Sequence, residues 1–191
     1  MLRLRKYKCR HSSLAFTLIE LLIVIGIAAI VLTIAVPAWR SYYLRIVTVS
    51  AANTLCVDLR YTRMMSLQRQ HVGLFSYGGT GDYSRGLKAG TFYKCYAGAM
   101  RWTTGNSGIG YIPDNGENTI VTPLNKNIYF SSTANGTKLS SASIEFYSQG
   151  KVWTQKGFTK TAEGDYIIYV VCPGVISIPV KIMASGKIIA G

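Results

Sequence analysis

Hydrophobic residues are concentrated near the start of the chain, in a run that ends at Ala38. From Leu21 to Trp39 there are 19 consecutive uncharged residues, and a single carboxylate, Glu20, stands directly before them. At 1.5 Å of rise per residue, a helix of this length nearly crosses a hydrocarbon core of about 30 Å. The pattern predicts a membrane-spanning helical segment over 16–38. An ionisable group within such a segment is costly and usually functional, which singles out Glu20.

Beyond Pro37 the apolar residues recur at three- and four-residue spacing, which predicts that an amphipathic helix continues over 39–70. The recurring positions are Leu44, Val47, Ala51, Ala52, Leu55 and Leu59. Pro37 removes one backbone hydrogen bond from the helix and is expected to kink it. Arg60, Arg63 and Arg69 share part of one face, which is either a solvated helix surface or a patch for a ligand.

From His71 the hydrophobic period changes to that of strands, and residues 71–191 are predicted to form a β-rich globular domain. Strands are expected at 71–77, 91–96, 100–103, 128–131, 143–147, 151–153, 166–172, 175–183 and 187–190, with a weak candidate at 109–112. Loops are expected over 78–90 and 104–127. Pro179 predicts that its strand lies at a sheet edge or breaks there. The predicted fold class is α+β, with a long N-terminal transmembrane and amphipathic helix packed on a C-terminal antiparallel β domain.

The charge distribution distinguishes the first residues from the rest of the chain. The formal net charge is +13, and residues 1–15 contain five Lys and Arg and no acid. This asymmetry predicts that the amino terminus stays on the cytoplasmic side of a membrane. Three interpretations remain: an ordinary secretory signal peptide, an uncleaved signal anchor, or a basic leader cut between Ala15 and Phe16.

The segment Phe16-Thr-Leu-Ile-Glu20-Leu-Leu-Ile-Val-Ile, placed after a short basic leader, resembles the class III prepilin signal of type IV pilins and type II secretion pseudopilins. The resemblance continues to Pro37, where pilin helices commonly carry a proline. It implies that a prepilin peptidase removes the leader, 1–15, and methylates the new amine of Phe16. One departure is that Ala15 stands where the family usually has Gly.

The same resemblance implies a role in assembly for Glu20. Its carboxylate would neutralise the Phe16 amine of a neighbouring subunit and set the axial register of a filament. The implied partners are other major and minor pilins or pseudopilins, the prepilin peptidase and the inner membrane. The implied location is the bacterial inner membrane, crossed once, with a periplasmic globular domain, and afterwards a pilus or pseudopilus.

Two further segments, Phe146-Tyr-Ser-Gln-Gly150-Lys151 and Ser185-Gly186-Lys187-Ile188, resemble motifs of the GspH/FimT branch of minor pilins. This resemblance implies a pilin lollipop whose β-sheets pack on the helix. The expected function is that of a minor pilin or pseudopilin in filament assembly or protein secretion. The sequence does not separate a type IV pilus from a type II secretion system.

The histidines, acidic residues and cysteines of the chain indicate no enzyme active site, no metal site and no cofactor. His71 is the one histidine outside the leader, and Asp114 and Glu117 lack the spacing of a calcium loop. Cys95 and Cys172 lie in the expected extracytoplasmic domain, where they form either a disulfide or two buried thiols.

An alternative function is DNA capture by a minor pilin during natural transformation. FimT-type members that capture DNA carry a Gly-Arg-x-Arg tail, and the comparable positions here are Gly186-Lys187-Ile188-Ile189. Basic residues near aromatic side chains bind nucleic acid through phosphate contacts and stacking. The candidate contacts are Lys151, Lys156, Lys160, Lys181 and Lys187, with Trp153 nearby.

Overall fold

A computed structural model describes residues 17–69, 72–78, 87–103, 108–113, 119–147 and 149–191. These residues form one helix, α1, and eleven strands. The elements are α1 (Leu18–Arg69), β1 (Val72–Gly78), β2 (Phe92–Thr103), β3 (Gly108–Pro113), β4 (Ile120–Pro123), β5 (Tyr129–Ser131), β6 (Ser141–Phe146), β7 (Val152–Lys156), β8 (Thr159–Lys160), β9 (Tyr166–Cys172), β10 (Ile176–Ile182) and β11 (Ile188–Ala190).

The chain divides into two compact units, Met1–Arg40 and Ser41–Gly191. The described part of the first unit is the apolar beginning of α1, and every residue of 17–40 is exposed. Pro37 lies inside α1, which is assigned as helix on both sides of it. The kink expected there remains a prediction.

The second unit contains two antiparallel sheets together with the remainder of α1. The first sheet has the order β3-β2-β1-β6-β7, and β4 pairs with the beginning of β2. The second has the order β11-β10-β9-β5, and β8 pairs with the beginning of β9. This long helix with antiparallel sheets in the C-terminal region confirms the predicted α+β fold class.

One hydrophobic core joins α1 to both sheets. Leu55 and Leu59 of α1 are fully buried, in the positions expected from helical spacing. An aromatic group lies at the centre, where the ring centroids of Phe75 and Tyr93 are 5.5 Å apart and those of Tyr77 and Phe130 are 4.7 Å apart. Because Gly73 has no side chain, β1 approaches α1 closely; a Cβ there would lie 2.6 Å from the Thr62 carbonyl oxygen.

The strand predictions differ from the structure mainly around β2. The sequence predicted two strands separated near Ala97-Gly-Ala99, whereas β2 continues through them because β1 pairs with it as far as Gly98 and β3 begins pairing there. Within the region predicted as a loop after Thr103, the weak strand candidate at 109–112 corresponds to β3, whereas β4 was not predicted. Both are short strands stabilised by pairing with β2, and such pairing leaves little local signal in the sequence.

The prediction for Pro179 is partly wrong, because β10 lies between β9 and β11 and continues through this residue. The carbonyl of Pro179 accepts a hydrogen bond from the N–H of Gly191 at 3.1 Å. Its nitrogen therefore faces the side where β11 ends, and the missing donor interrupts no hydrogen bond to β9.

Candidate functional site

The beginning of α1 places Glu20 in the first helical turn. The Thr17 hydroxyl oxygen accepts a hydrogen bond from the Glu20 N–H at 3.3 Å, and the Thr17 carbonyl accepts one from the Leu21 N–H at 3.2 Å. Thr17 is thus the N-cap, and Glu20 stands three residues later, as in a capping box. This role of Thr17 was not predicted, although the Thr-x-x-Glu spacing that indicates it is present in the sequence.

The Glu20 side chain is exposed at the end of α1 where unpaired N–H groups point outward. A carboxylate is favoured there by the helix dipole and by these donors. Ala15 and Phe16, the residues expected to flank the cleavage point, lie outside the described residues. The structure therefore describes Glu20, the predicted assembly charge, but not the Phe16 amine with which it is expected to pair.

The helical segment after Glu20 presents apolar side chains on all sides. Leu18, Ile30 and Ile34 are among the most exposed. Within the described residues, α1 is the one helix long and apolar enough to cross a membrane, and none of its most apolar window is buried. A helix that is apolar all round needs lipid or other helices around it.

A comparison of the sequence with models of protein families identifies a match in this same segment. The model described as the prokaryotic N-terminal methylation motif matches residues 10–36. The matched residues include the end of the basic leader, Ala15 and Phe16, Glu20 and most of the apolar segment. They support a type IV pilin-like protein that is processed for a pilus or pseudopilus, and with α1 they suggest anchoring in the inner membrane. No curated protein and no solved structure matches the chain.

Between the membrane-like segment and the core, α1 carries an exposed apolar stripe. Tyr42, Ile46, Val49 and Val57 are between 41% and 61% exposed, and they follow helical spacing on the face opposite Leu55. They line a shallow groove with a volume of about 690 Å³. This stripe, residues 42, 46, 49 and 57, is larger and more continuous than the scattered apolar residues that ordinary surfaces expose.

Of the three arginines predicted to share part of one face of α1, two bind the backbone around the β10–β11 turn. Arg60 donates through Nε and Nη2 to the Ile188 carbonyl, at 3.1 and 2.5 Å. Arg63 donates to the carbonyls of Gly186 and Ser185, at 2.5 and 3.3 Å. They are neither simply solvated nor a ligand patch, since they attach the β10–β11 turn to α1. The side chain of Arg69 lies outside the described residues.

Gly186, part of the tail motif that resembles the GspH/FimT branch, has a structural role here. Its φ is +82°, a conformation that favours glycine, and a Cβ there would also collide with the Arg63 guanidinium. The backbone conformation therefore requires glycine, and a larger residue would in addition displace the end of the Arg63 side chain.

A buried carboxylate attaches α1 to the first sheet. Asp58 accepts hydrogen bonds at Oδ2 from the hydroxyls of Tyr93, at 2.7 Å, and Thr122, at 2.9 Å. Burial, and secondly the hydrogen bond with Asp58, raise the pKa of Tyr93 well above its usual value. The tyrosine consequently stays protonated at neutral pH and donates its hydrogen bond to Asp58.

Cys95 and Cys172, for which the sequence left a disulfide and two buried thiols both open, are free, buried thiols in the structure. They lie in different sheets, Cys95 on β2 and Cys172 at the end of β9. The structure thus has the alternative of two separate thiols. Burial raises the pKa of Cys95, which keeps its thiol protonated and unreactive.

The lysines predicted to contact DNA do not form one group. Lys181 donates to Asp165 at 2.8 Å and lies 3.6 Å from Glu163, so its charge is neutralised within the protein. The hydrogen bond from Lys181 is the main cause that lowers the pKa of Asp165, followed by the N–H of Ala184. Lys156 and Lys187 are exposed at separate turns. The side chain of Trp153 lies outside the described residues, as do Asp114 and Glu117.

Lys151 and Lys160 do come together, in a cleft between the two sheets. The cleft has a volume of about 660 Å³ and includes Tyr147 and Tyr166 in its wall. We call these four residues, 147, 151, 160 and 166, the tyrosine–lysine cleft. It lies where the β6–β7 turn of the first sheet meets the β8–β9 hairpin of the second.

Proposed function

We propose that this protein is a minor pilin or pseudopilin, cleaved between Ala15 and Phe16, methylated on the Phe16 amine, and incorporated into a type IV pilus or type II secretion pseudopilus. The observation that carries the proposal is the methylation motif at residues 10–36. This motif leads into α1, whose first turn is capped by Thr17. Glu20 lies in that turn and is the one acidic residue of an exposed, mainly apolar segment.

The chemistry of assembly follows from placing two opposite charges in an apolar surrounding. Cleavage creates an ammonium group on Phe16, four residues before the carboxylate of Glu20. Each charge is costly in lipid or between packed helices, and the cost is reduced when the two are paired. A subunit whose Phe16 amine meets the Glu20 of its neighbour is therefore stable at one axial register only.

The exposed stripe on α1 supports the same function. Tyr42, Ile46 and Val49 give the part of α1 within the second unit an exposed apolar surface of its own. Once the helix leaves the bilayer, this surface needs another helix against it, and the neighbouring pilins of a filament provide one. The β domain then remains available for contacts with other minor pilins.

Assignment to the GspH/FimT branch is part of the proposal. It is supported by the two short motifs around Gly150-Lys151 and Gly186-Lys187, in both of which the glycine has positive φ. Deletion of the gene, scored in parallel for surface pili and for secreted proteins, distinguishes the two kinds of filament. Loss of pili with normal secretion assigns the protein to a type IV pilus, and the converse assigns it to type II secretion.

The central experiment is replacement of Glu20 by Val in the full chain. Cleavage should proceed normally, because the change lies beyond the processed bond. Leaving the Phe16 ammonium unpaired in an apolar surrounding costs about 3–5 kcal/mol, so the fraction found in sheared filaments should fall by about a hundredfold or more. Immunoblots of filament and membrane fractions measure this fraction. The matched control is Glu163→Val, which removes an exposed carboxylate from the β domain.

Mass spectrometry of the same samples tests the processing step. The wild-type amino terminus should be methylated Phe16, and Ala15→Phe should leave the full-length chain in the membrane. Unchanged incorporation of Glu20→Val refutes the register role. A new amino terminus at Trp39 would instead identify an ordinary signal peptide.

DNA capture remains the second candidate function, and the surface charge of the β domain favours it. By sequence, residues 41–191 contain fifteen Lys and Arg and seven Asp and Glu, which gives this part of the chain a clear excess of positive charge. Phosphate contacts release counterions, so duplex binding by the processed protein in detergent should weaken steeply with salt. No binding at 50 mM salt would exclude this candidate.

A further inference from the structure

We propose that the tyrosine–lysine cleft binds an acidic saccharide, a sugar ring that carries a carboxylate or phosphate group. The proposal goes beyond filament assembly, since it concerns a surface of the β domain and does not depend on Glu20 or on processing. A filament subunit with such a site would attach to anionic polysaccharide.

The wall of the cleft is suited to the apolar face of a sugar. Tyr147, Tyr166 and Val152 are all half-buried, and they supply a largely apolar surface. The Tyr147 hydroxyl donates to the buried Glu145 carboxylate at 2.7 Å, which fixes the orientation of its ring. A tyrosine ring is flat and apolar with a polar edge, so it can pack against the C–H face of a sugar while hydroxyls remain hydrated.

The cations of the cleft are placed to hold the acidic group. Lys151 enters from the β6–β7 turn and Lys160 from β8, and both are exposed. The Lys160 ammonium lies 6.0 Å from the centroid of the Tyr166 ring, so the charge stands directly over the apolar surface. The nearby Asp165 is buried and bound to Lys181, which prevents it from cancelling the charge of these lysines.

The shape of the site favours a short anionic unit over a continuous nucleic-acid strand. A strand needs a basic groove that follows its backbone, with stacking surfaces along it. Here Lys156 and Lys187 do not line the cleft, and Glu163 stands exposed beside Gly164 of its rim. A volume of about 660 Å³ is instead in the range of pockets that enclose small ligands.

Calorimetry of the full chain in nonionic detergent tests the proposal, with trigalacturonic acid as the probe. The neutral trisaccharide maltotriose is the matched ligand without carboxylates. Because charge-assisted hydrogen bonds are about twice as strong as neutral ones, the acidic trimer should bind at least about tenfold more tightly. Saturation-transfer NMR should show contact between the sugar ring protons and the protein.

Two conservative substitutions, Lys151→Gln and Lys160→Gln, should each weaken binding of the acidic trimer by about tenfold. Both residues are exposed, so folding should be unaffected. Lys138→Gln, an exposed lysine outside the cleft, is the matched control and should bind as wild type. Tyr166→Phe keeps the ring and should also retain binding, whereas Tyr166→Leu should reduce the NMR contact signal.

Three outcomes would overturn the proposal. The first is absence of binding by the acidic trimer in the physiological salt range. The second is equal affinity for a short polyglutamate peptide through the same lysines, which would show an unselective charge patch. The third is tighter binding of an oligo-dT strand that depends on Lys151 and Lys160, which would assign the cleft to nucleic acid.

Discussion

The two parts of α1 have the same secondary structure but different sources of stability. Residues 17–40 are exposed throughout, whereas the part from Ser41 onward buries Leu55 and Leu59 and attaches itself to both sheets through polar side chains. An isolated helix is marginal in water, and most helical stability in proteins comes from packing of one face. The first part therefore needs a membrane or neighbouring helices, while the second is stabilised by its own domain.

The polar contacts of the second part show the same difference. Asp58 accepts from Tyr93 and Thr122 of the first sheet, and Arg60 and Arg63 donate to the carbonyls around β11 of the second. In the first part the side-chain hydrogen bonds of Thr17, which accepts from the Glu20 N–H, and of Thr33, which donates to the Ile30 carbonyl, stay within the helix. The part of α1 that belongs to the β domain is thus recognised by polar contacts with the sheets. The part expected to assemble with other subunits makes, through Thr17 and Thr33, local polar contacts within the helix.

The largest expected effect comes from truncating one leucine in each part. Leu59→Ala should lower the free energy of unfolding of the β domain by about 3 kcal/mol, because it leaves a cavity in the core. Leu22→Ala, at a position 61% exposed, should change it by less than about 0.5 kcal/mol. Urea unfolding of the full chain in detergent, followed by tryptophan fluorescence, measures both. Equal effects would show that the two parts unfold as one unit.

The sequence predicted the α+β class, the helix and its buried face, because these follow from periodicity in local stretches. Pairing between distant residues was not predictable in the same way. The strand β4 and the contacts of Arg60 and Arg63 depend on which segments the fold brings together, and the spacing of the arginines suggested only a solvated face or a ligand patch. Gly186 was visible as part of a sequence motif, but its positive φ and its nearness to Arg63 could be known only from the structure.

An intermediate effect is expected at the contact between α1 and the β10–β11 turn. Gly186→Ala adds a side chain at positive φ and displaces the Arg63 guanidinium from the carbonyls that it binds, so it should destabilise the domain by about 2–3 kcal/mol. Gly174→Ala is the matched control, since its φ of +71° is similar and nothing lies within 4 Å of its added Cβ. It should cost only the backbone term, about 1 kcal/mol.

The steric part of this effect can be isolated by removing the arginine. In a variant with Arg63→Ala, the further change Gly186→Ala should cost about as much as Gly174→Ala does in the wild type. Thermal or urea unfolding of the four proteins forms a double-mutant cycle. An unchanged cost in the absence of Arg63 would mean that the guanidinium does not restrict this position.

The smallest effect is expected at the ion pair of Asp165 and Lys181, and it depends on pH. The pKa of Asp165 is lowered below its usual value of 3.8 by the Lys181 hydrogen bond, then by the Ala184 N–H. Between the folded and unfolded pKa the unfolded chain binds more protons, so this contribution is fully present above pH 3.8 and is lost as pH falls through the folded pKa. The pKa of Lys181 is raised above 10.5, so its contribution is present below that pH and is lost as pH rises through the folded value.

Asp165→Asn should therefore lower stability by a constant, small amount between about pH 5 and 9, and the difference from wild type should shrink below pH 3.8. Glu163→Gln, at an exposed carboxylate 3.6 Å from the same ammonium, should have almost no effect at any pH. A difference between Asp165→Asn and wild type that stays constant down to about pH 2 would contradict this prediction. It would mean that the loss of stability does not come from the charge of the Asp165 carboxylate.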